Sequence, residues 1–442
     1  MRRGWKALPV MLVLLFAAST SHASGFRLPE AGAKAMGMGF AFTAQADDPS
    51  AIYFNPAGLT QLSGNNAMVG LTYVKENGGK FSGTTPVDDF LDGFTAAKSE
   101  TQKTLNFYIP NGYYTRTTPS GFAYGIGVFT PFGLGQEYEN HQTSIFRNQV
   151  TKIDLRTFVV NPTIAFKVNE VLSVGFGIDW MYGTAKLGKT PWAPTLGGNL
   201  YELALKAHGD AWGYNFGLLL KPTENLRIGA SYRSPFTLRL KDGDVNLDGI
   251  NTTGVAALGG ASVSQAFFGG NTSFGTKGNA TINLPATFAL GAAYTAGRLT
   301  VEADADWTFW HSYTDLPITI QDQRPPVLVS TDAQKRWKDV VALRFGAEYR
   351  VTDPLSLRAG FVYDPTPVPA DTMGPELPDA TRLNYTAGVG YKIGPWTIDG
   401  AFMYIDKFDR TVNNQNNATL TGFNGTWTGN AWLAALDIGY KF

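Results

Sequence analysis

Cysteine is absent from the 442 residues, which excludes disulfides, thiolate metal sites and a cysteine nucleophile. Charge is scarce and balanced: Lys and Arg number 36, Asp and Glu number 36, and the formal net charge is zero. No net field gathers a polyanion, so a nucleic-acid partner is not expected. Long apolar runs are missing after residue 23, where nothing approaches the ~20 apolar residues of a membrane-spanning helix. Histidine is rare too. His141, His208 and His311 fall in or beside expected loops, and Ser144 and Ser312 near two of them belong to no hydrolase motif. Acyl chemistry needs a nucleophile held against a base, so a lipolytic enzyme is a weak rival. Gly37-Met38-Gly39 follows no strand and is no phosphate loop. Asp88, Asp89 and Asp92 read as solvated loop acids, and no metal or other cofactor is implied.

What is present points to export. Arg2, Arg3 and Lys6 precede an apolar run from Leu8 to Ala18, and Ser21-His22-Ala23 is a small-residue cleavage site in all but its middle position. This pattern predicts a signal peptide over 1–23 and a mature start at Ser24. Aromatics reach 13% and Gly numbers 50, while charged residues are only 16%. Disordered chains show the reverse balance.

Alternation of period two runs through most of the chain. In the last segment Trp432, Ala434, Leu436, Ile438, Tyr440 and Phe442 alternate with Leu433, Ala435, Asp437, Gly439 and Lys441. Leu299, Val301, Ala303, Ala305, Trp307 and Phe309 likewise alternate with Thr300, Glu302, Asp304, Asp306 and Thr308. A strand shows alternate residues to opposite faces, so such segments suit lipid outside and water inside. Charges of one parity favour this over a soluble sandwich. The pattern predicts fourteen strands, near 67–74, 103–115, 122–134, 154–167, 172–184, 210–221, 226–240, 281–294, 299–310, 338–350, 355–364, 383–392, 396–405 and 427–442. Short turns and long loops alternate between them, which is the outer-membrane layout. The fold class expected is all-β membrane: a 14-stranded antiparallel outer-membrane β-barrel over 66–442.

Residues 24–65 do not alternate. Asp47, Asp48 and Pro49 read as a helix start, and Asn55-Pro56-Ala57-Gly58 as its end. A barrel of fourteen strands is too wide for its own side chains to fill. The segment is therefore expected to fold inward as a short helical hatch, which argues against a general hydrophilic porin. In the third strand Ala123, Gly125 and Gly127 form a small inner face before Pro131 and Gly133, and Pro110 and Pro162 lie in the neighbouring strands. Proline cannot donate to a ladder and a closed barrel has no edge to hide it. The wall there is expected to bulge or open sideways.

Several stretches resemble the FadL-type family of transporters for long-chain fatty acids and, in some members, aromatic hydrocarbons. They are Ser24-Gly25-Phe26, Asp47-Asp48-Pro49-Ser50-Ala51, Asn55-Pro56-Ala57, Val159-Val160-Asn161-Pro162-Thr163, Asp210-Ala211-Trp212-Gly213-Tyr214, Tyr232-Arg233-Ser234, Leu284-Pro285-Ala286 and Tyr363-Asp364-Pro365. The resemblance runs from residue 24 to 442 and implies a plugged fourteen-stranded barrel, with Asn55, Pro56 and Ala57 as a hatch motif. It implies passive uptake of a hydrophobic small molecule, most simply a long-chain fatty acid, which leaves sideways into the bilayer near a kinked third strand. Phe26 and Lys338, from Trp337-Lys338-Asp339, become candidate ligand-binding residues. Some members carry an arginine after the fifth strand where this chain has Thr184, with Lys186 nearby, so aromatic hydrocarbons stay open as ligands. Outer-membrane lipid and lipopolysaccharide are the expected surroundings, and lateral exit suits a monomer.

Overall fold

The structure is a computed structural model describing residues 25–442, so the expected signal peptide lies outside the described residues. Fourteen antiparallel strands among them close into a barrel, with β14 pairing back onto β1 from Asn66↔Lys441 to Thr84↔Asn424. The strands are β1 Gly64–Thr84, β2 Leu105–Thr117, β3 in two pieces (Phe122–Phe129 and Gly133–Glu137), β4 Lys152–Lys167 and β5 Leu172–Lys189. There follow β6 Glu202–Leu220, β7 (Leu226–Arg233 and Phe236–Asp248), β8 (Ser273–Leu284 and Thr287–Ala296) and β9 Leu299–Thr308. The last are β10 Val340–Arg350, β11 Leu355–Asp364, β12 Arg382–Ile393, β13 Trp396–Lys407 and β14 Asn424–Lys441.

The apolar parity faces out. Trp307, Trp432 and Ile438 stand on the outer wall, while Glu302, Asp304 and Asp437 point inward and are buried. Strand ends differ from expectation on the loop side. β1 runs ten residues beyond 74, and β5 and β6 extend to Lys189 and back to Glu202. Above the membrane band both faces meet water or loops, so hydrophobic alternation fades although the ladder continues. The three broken strands each break at a proline: Pro131, Pro235 and Pro285. Pro110 and Pro162 do not break theirs. Across from Pro162, the side chain of Asn161 donates to Ile178 O at 3.0 Å and supplies the donor that proline lacks.

Residues 25–62 fill the lumen as two short helices, α1 Ala33–Gly37 and α2 Ala51–Phe54, and a 3-10 turn Pro56–Gln61. Such short helices leave most backbone N–H groups without internal partners. The wall supplies acceptors. Asp304 accepts from Phe42 N (2.9 Å) and Thr43 N (3.0 Å), Glu302 from Ala44 N (2.6 Å) and Gln45 N (2.9 Å), and Asp437 from Ala33 N (2.5 Å). The inner carboxylates thus meet backbone amides, not the water expected from sequence. Asn55 does more than end α2. It caps the 3-10 turn through Ala57 N (3.1 Å), and its amide donates to Thr43 O (2.7 Å) and Leu218 O (2.9 Å).

Close approach between hatch and wall needs glycine. A Cβ on Gly217 would meet Asn55 Oδ1 at 2.2 Å and Pro56 Cδ at 2.7 Å. Gly217→Val is expected to unseat the 3-10 turn while the barrel still closes. Planar-bilayer conductance should then rise with heat-modifiable gel migration preserved; wild-type conductance in a folded variant would show that the turn is not the seal.

Candidate functional site

The break in β3 changes how the wall is held. Below it, Gly112↔Val128 to Thr117↔Ala123 join β2 to β3. Above it, Lys103 N reaches Glu137 O at 2.8 Å. Between these points no backbone hydrogen bond links the two strands among the described residues. The stretch of β2 left without that neighbour is ~26 Å long at about 3.3 Å per residue. Pro110 stands on it, where a missing N–H leaves nothing unpaired.

The hatch takes over the broken ladder. Leu28 N donates to Pro131 O at 2.8 Å and Gly133 N to Phe26 O at 3.0 Å, with Arg27 opposite Phe132. Three further bonds fix this N-terminal arm: Gly25 N to Asp379 (3.1 Å), Tyr53 OH to Leu28 O (3.0 Å) and Tyr113 OH to Ala31 O (2.8 Å). Arg27 donates to Asp306 at 2.9 Å, and Arg344 reaches the other oxygen of that carboxylate at 3.2 Å.

Behind the gap lies a cavity of about 400 Å³, within the ordinary size of small-molecule sites. Its apolar wall includes Phe40, Ile109, Leu134, Leu155, Ile405 and Leu433. Phe26 adds an aromatic ring, and Arg27, Glu30, Arg344 and Arg382 bring polar groups to it. Tyr108, Arg156 and Phe158, which face outward from β2 and β4, also line it, so the cavity reaches the outer wall through the gap. Burial pushes the Glu30 carboxyl up to about 7 against the pull of Arg382 and Arg344. Its Oε2 has no hydrogen-bond partner.

The expected site residues separate. Phe26 lies at the cavity, 4% exposed, with ring centroids 4.9 Å from Trp310, 5.6 Å from Tyr313, 5.4 Å from Trp337 and 6.3 Å from Phe132. Pro131 and Gly133 stand at the break. Gly125 and Gly127 lie below it in fully paired ladder, where they clear room for Ile52. Lys338 is exposed beside Pro367 and Arg410, and Lys186 is exposed on the outer face; neither lines the cavity. Sequence reasoning missed Arg27, Glu30, Arg344 and Arg382. Arg344 carried a usable signal, since it shares inward parity with Ala342 and Glu348. The serines near His141 and His311 bond elsewhere: Ser144 Oγ accepts from Phe146 N, and Ser312 Oγ donates to Phe309 O. His311 instead faces Asp339 at 2.8 Å.

The family model for outer membrane protein transport proteins (OMPP1/FadL/TodX) matches residues 14–442. The chain belongs to the FadL/TodX family. Its relatives include outer membrane protein P1 of Haemophilus influenzae, 26% identical over 97% of each chain. A long-chain fatty acid transport protein of Salmonella typhi is 24% identical over 99% of this chain and 98% of its own. Among solved structures, a FadL homologue from Pseudomonas aeruginosa superposes with a TM-score of 0.77 at 21% identity, covering 95% of this chain and all of the other. The chain is thus an outer-membrane transporter of hydrophobic compounds and not an enzyme, and FadL/TodX membership accounts for both barrel and N-terminal helices.

Phe26→Ala should empty the aromatic box and loosen the arm that bridges β3. Large-to-small changes of this kind cost about 3–5 kcal/mol. Hydrogen exchange is expected to rise at residues 25–31 and stay unchanged in β9 to β14; equal protection in the variant would remove Phe26 as the anchor.

Proposed function

We propose that this chain takes up long-chain fatty acids, holding them in the lumenal cavity and releasing them sideways through the gap between β2 and β3. The observation that carries the reading is the cavity's continuity with the outer wall where the β2–β3 ladder is missing. Two features favour an acid over a neutral aromatic. The cavity is amphipathic, with Arg27, Arg344 and Arg382 at one part and aliphatic walls elsewhere. A relative is named a long-chain fatty acid transport protein. Each buried CH₂ contributes roughly 0.8 kcal/mol, so the tail supplies affinity and the arginines orient the head. No energy source enters the mechanism: ligand moves down its gradient, from water to cavity to lipid.

For the arm to let ligand pass, its two bonds to β3 must part. Because the chain has no cysteine, a single engineered disulfide can test this cleanly. The pair Arg27→Cys with Phe132→Cys joins two directly opposed residues. Oxidised protein is expected to lose fatty-acid uptake and regain it on reduction. Uptake indifferent to oxidation, in protein shown to be crosslinked, would overturn lateral release past the arm.

Retained ligand gives the second test. The raised pKa of Glu30 means that its carboxyl is neutral below about 7 and acquires charge as pH rises through that value. A fatty carboxylate beside it is then repelled. Mass spectrometry of organic extracts, after exposure to mixed fatty acids and aromatic hydrocarbons, should find fatty acid, with more retained at pH 6 than at pH 8. Glu30→Gln should flatten that difference. Retention of neutral aromatics alone would reassign the ligand.

A further inference from the structure

The outer wall carries a second feature that begins beside the gap and extends away from it. On β4 to β8 the ladder register stacks outward side chains in ranks. Phe158–Tyr182 and, two residues below, Trp180–Trp212 form two adjoining exposed aromatic ranks. Two residues above Tyr182 comes Arg156–Thr184–His208–Lys241, and two above that Asp154–Lys186–Lys206–Asp244–Lys277. Aromatic rings of this kind settle at the membrane interface. Two and four residues further up is ~7 and ~13 Å along the strand. With strand tilt, both cationic ranks fall in or near the headgroup layer, which is about 5–8 Å thick on each side.

Lys186 and Lys206 are directly opposed across β5 and β6. Like charges in that position are destabilising. Nearby acids relieve them only in part, with Asp244 attracting Lys206 across the ladder. Asp154 is taken by Arg156 at 2.8 Å and Asp244 by Lys277 at 2.6 Å, while Asp210 stands opposite Arg239 and exposed Asp242 adjoins Lys241. Among the described residues, Lys186, Lys206 and Lys241 form no ion pair and no side-chain hydrogen bond. Three ammonium groups without a direct ion pair therefore stand within one side-chain reach of each other above an aromatic shelf.

We propose that this cluster binds the phosphate of a phosphorylated glycolipid of the outer leaflet, with its acyl chains against Trp180, Tyr182 and Trp212. The site lies on the loop end of the barrel, the end that faces outward in the outer-membrane layout. The ammonium groups supply the charge, and the long side chains can bend toward the headgroup plane. A phosphate placed between Lys186 and Lys206 turns an unfavourable cross-strand pair into a bridged one.

The test is native mass spectrometry of the full protein in detergent, with EDTA present and bisphosphorylated lipid A or phosphatidylglycerol titrated in. Wild type is expected to retain lipid A in preference to phosphatidylglycerol. The triple change Lys186→Ala, Lys206→Ala, Lys241→Ala should weaken retention roughly tenfold or more, with heat-modifiable migration unchanged. Replacing the same three by Arg should preserve retention, as should Lys80→Ala on another part of the wall. Equal retention by wild type and the triple alanine variant would overturn the site. Equal binding of phosphatidylglycerol and lipid A would overturn the glycolipid as its occupant.

Discussion

Buried backbone amides must find acceptors, and in this barrel the acceptors are carboxylates on the wall. The hatch has almost no secondary structure of its own to satisfy its N–H groups. Glu302, Asp304 and Asp437 accept five of them. Removing one carboxylate would strand the amides it accepts from. The shape of the plug therefore depends on the spacing of acids along β9 and β14 more than on the helices of the plug itself.

The same accounting explains why the break in β3 does not unravel the wall. Proline removes a donor, and the strand on either side must be tied elsewhere. Leu28 N and Phe26 O provide one side of the repair, and β4 holds the upper piece from Gly133 to Glu137. Mechanical closure of the barrel and occupancy of the break by the arm are one structural fact. Whatever moves the arm alters the wall.

Sequence periodicity carried the barrel well. The outward set Trp307, Trp432 and Ile438 and the inward set Glu302, Asp304 and Asp437 follow parity alone. Pro131 marked the broken strand, while Pro110 and Pro162 sit in unbroken ones, so proline alone flagged the region and not the break. Strand ends above the membrane were illegible, since alternation needs two different solvents and there only one is present. The cavity was half legible. Phe26 was expected there, while Lys338 and Lys186 lie elsewhere. Lys186 shares parity with Tyr182, so the alternation that located its strand already pointed it outward. Arg27 and Glu30 sit in a segment without period, and only the folded arm brings them beside Arg344.

A barrel this wide with an open lumen would be a leak for every small solute. Here residues 25–62 fill the lumen, and under the proposed lateral release the exit lies in the side wall against lipid. Permeability to oily molecules and permeability to water-soluble ones are thereby set by different parts of the molecule. The first can be raised by widening the break or greasing the cavity, while the second stays fixed by the hatch. Under that reading, a cell carrying many copies would gain access to hydrophobic compounds without becoming more porous to hydrophilic ones.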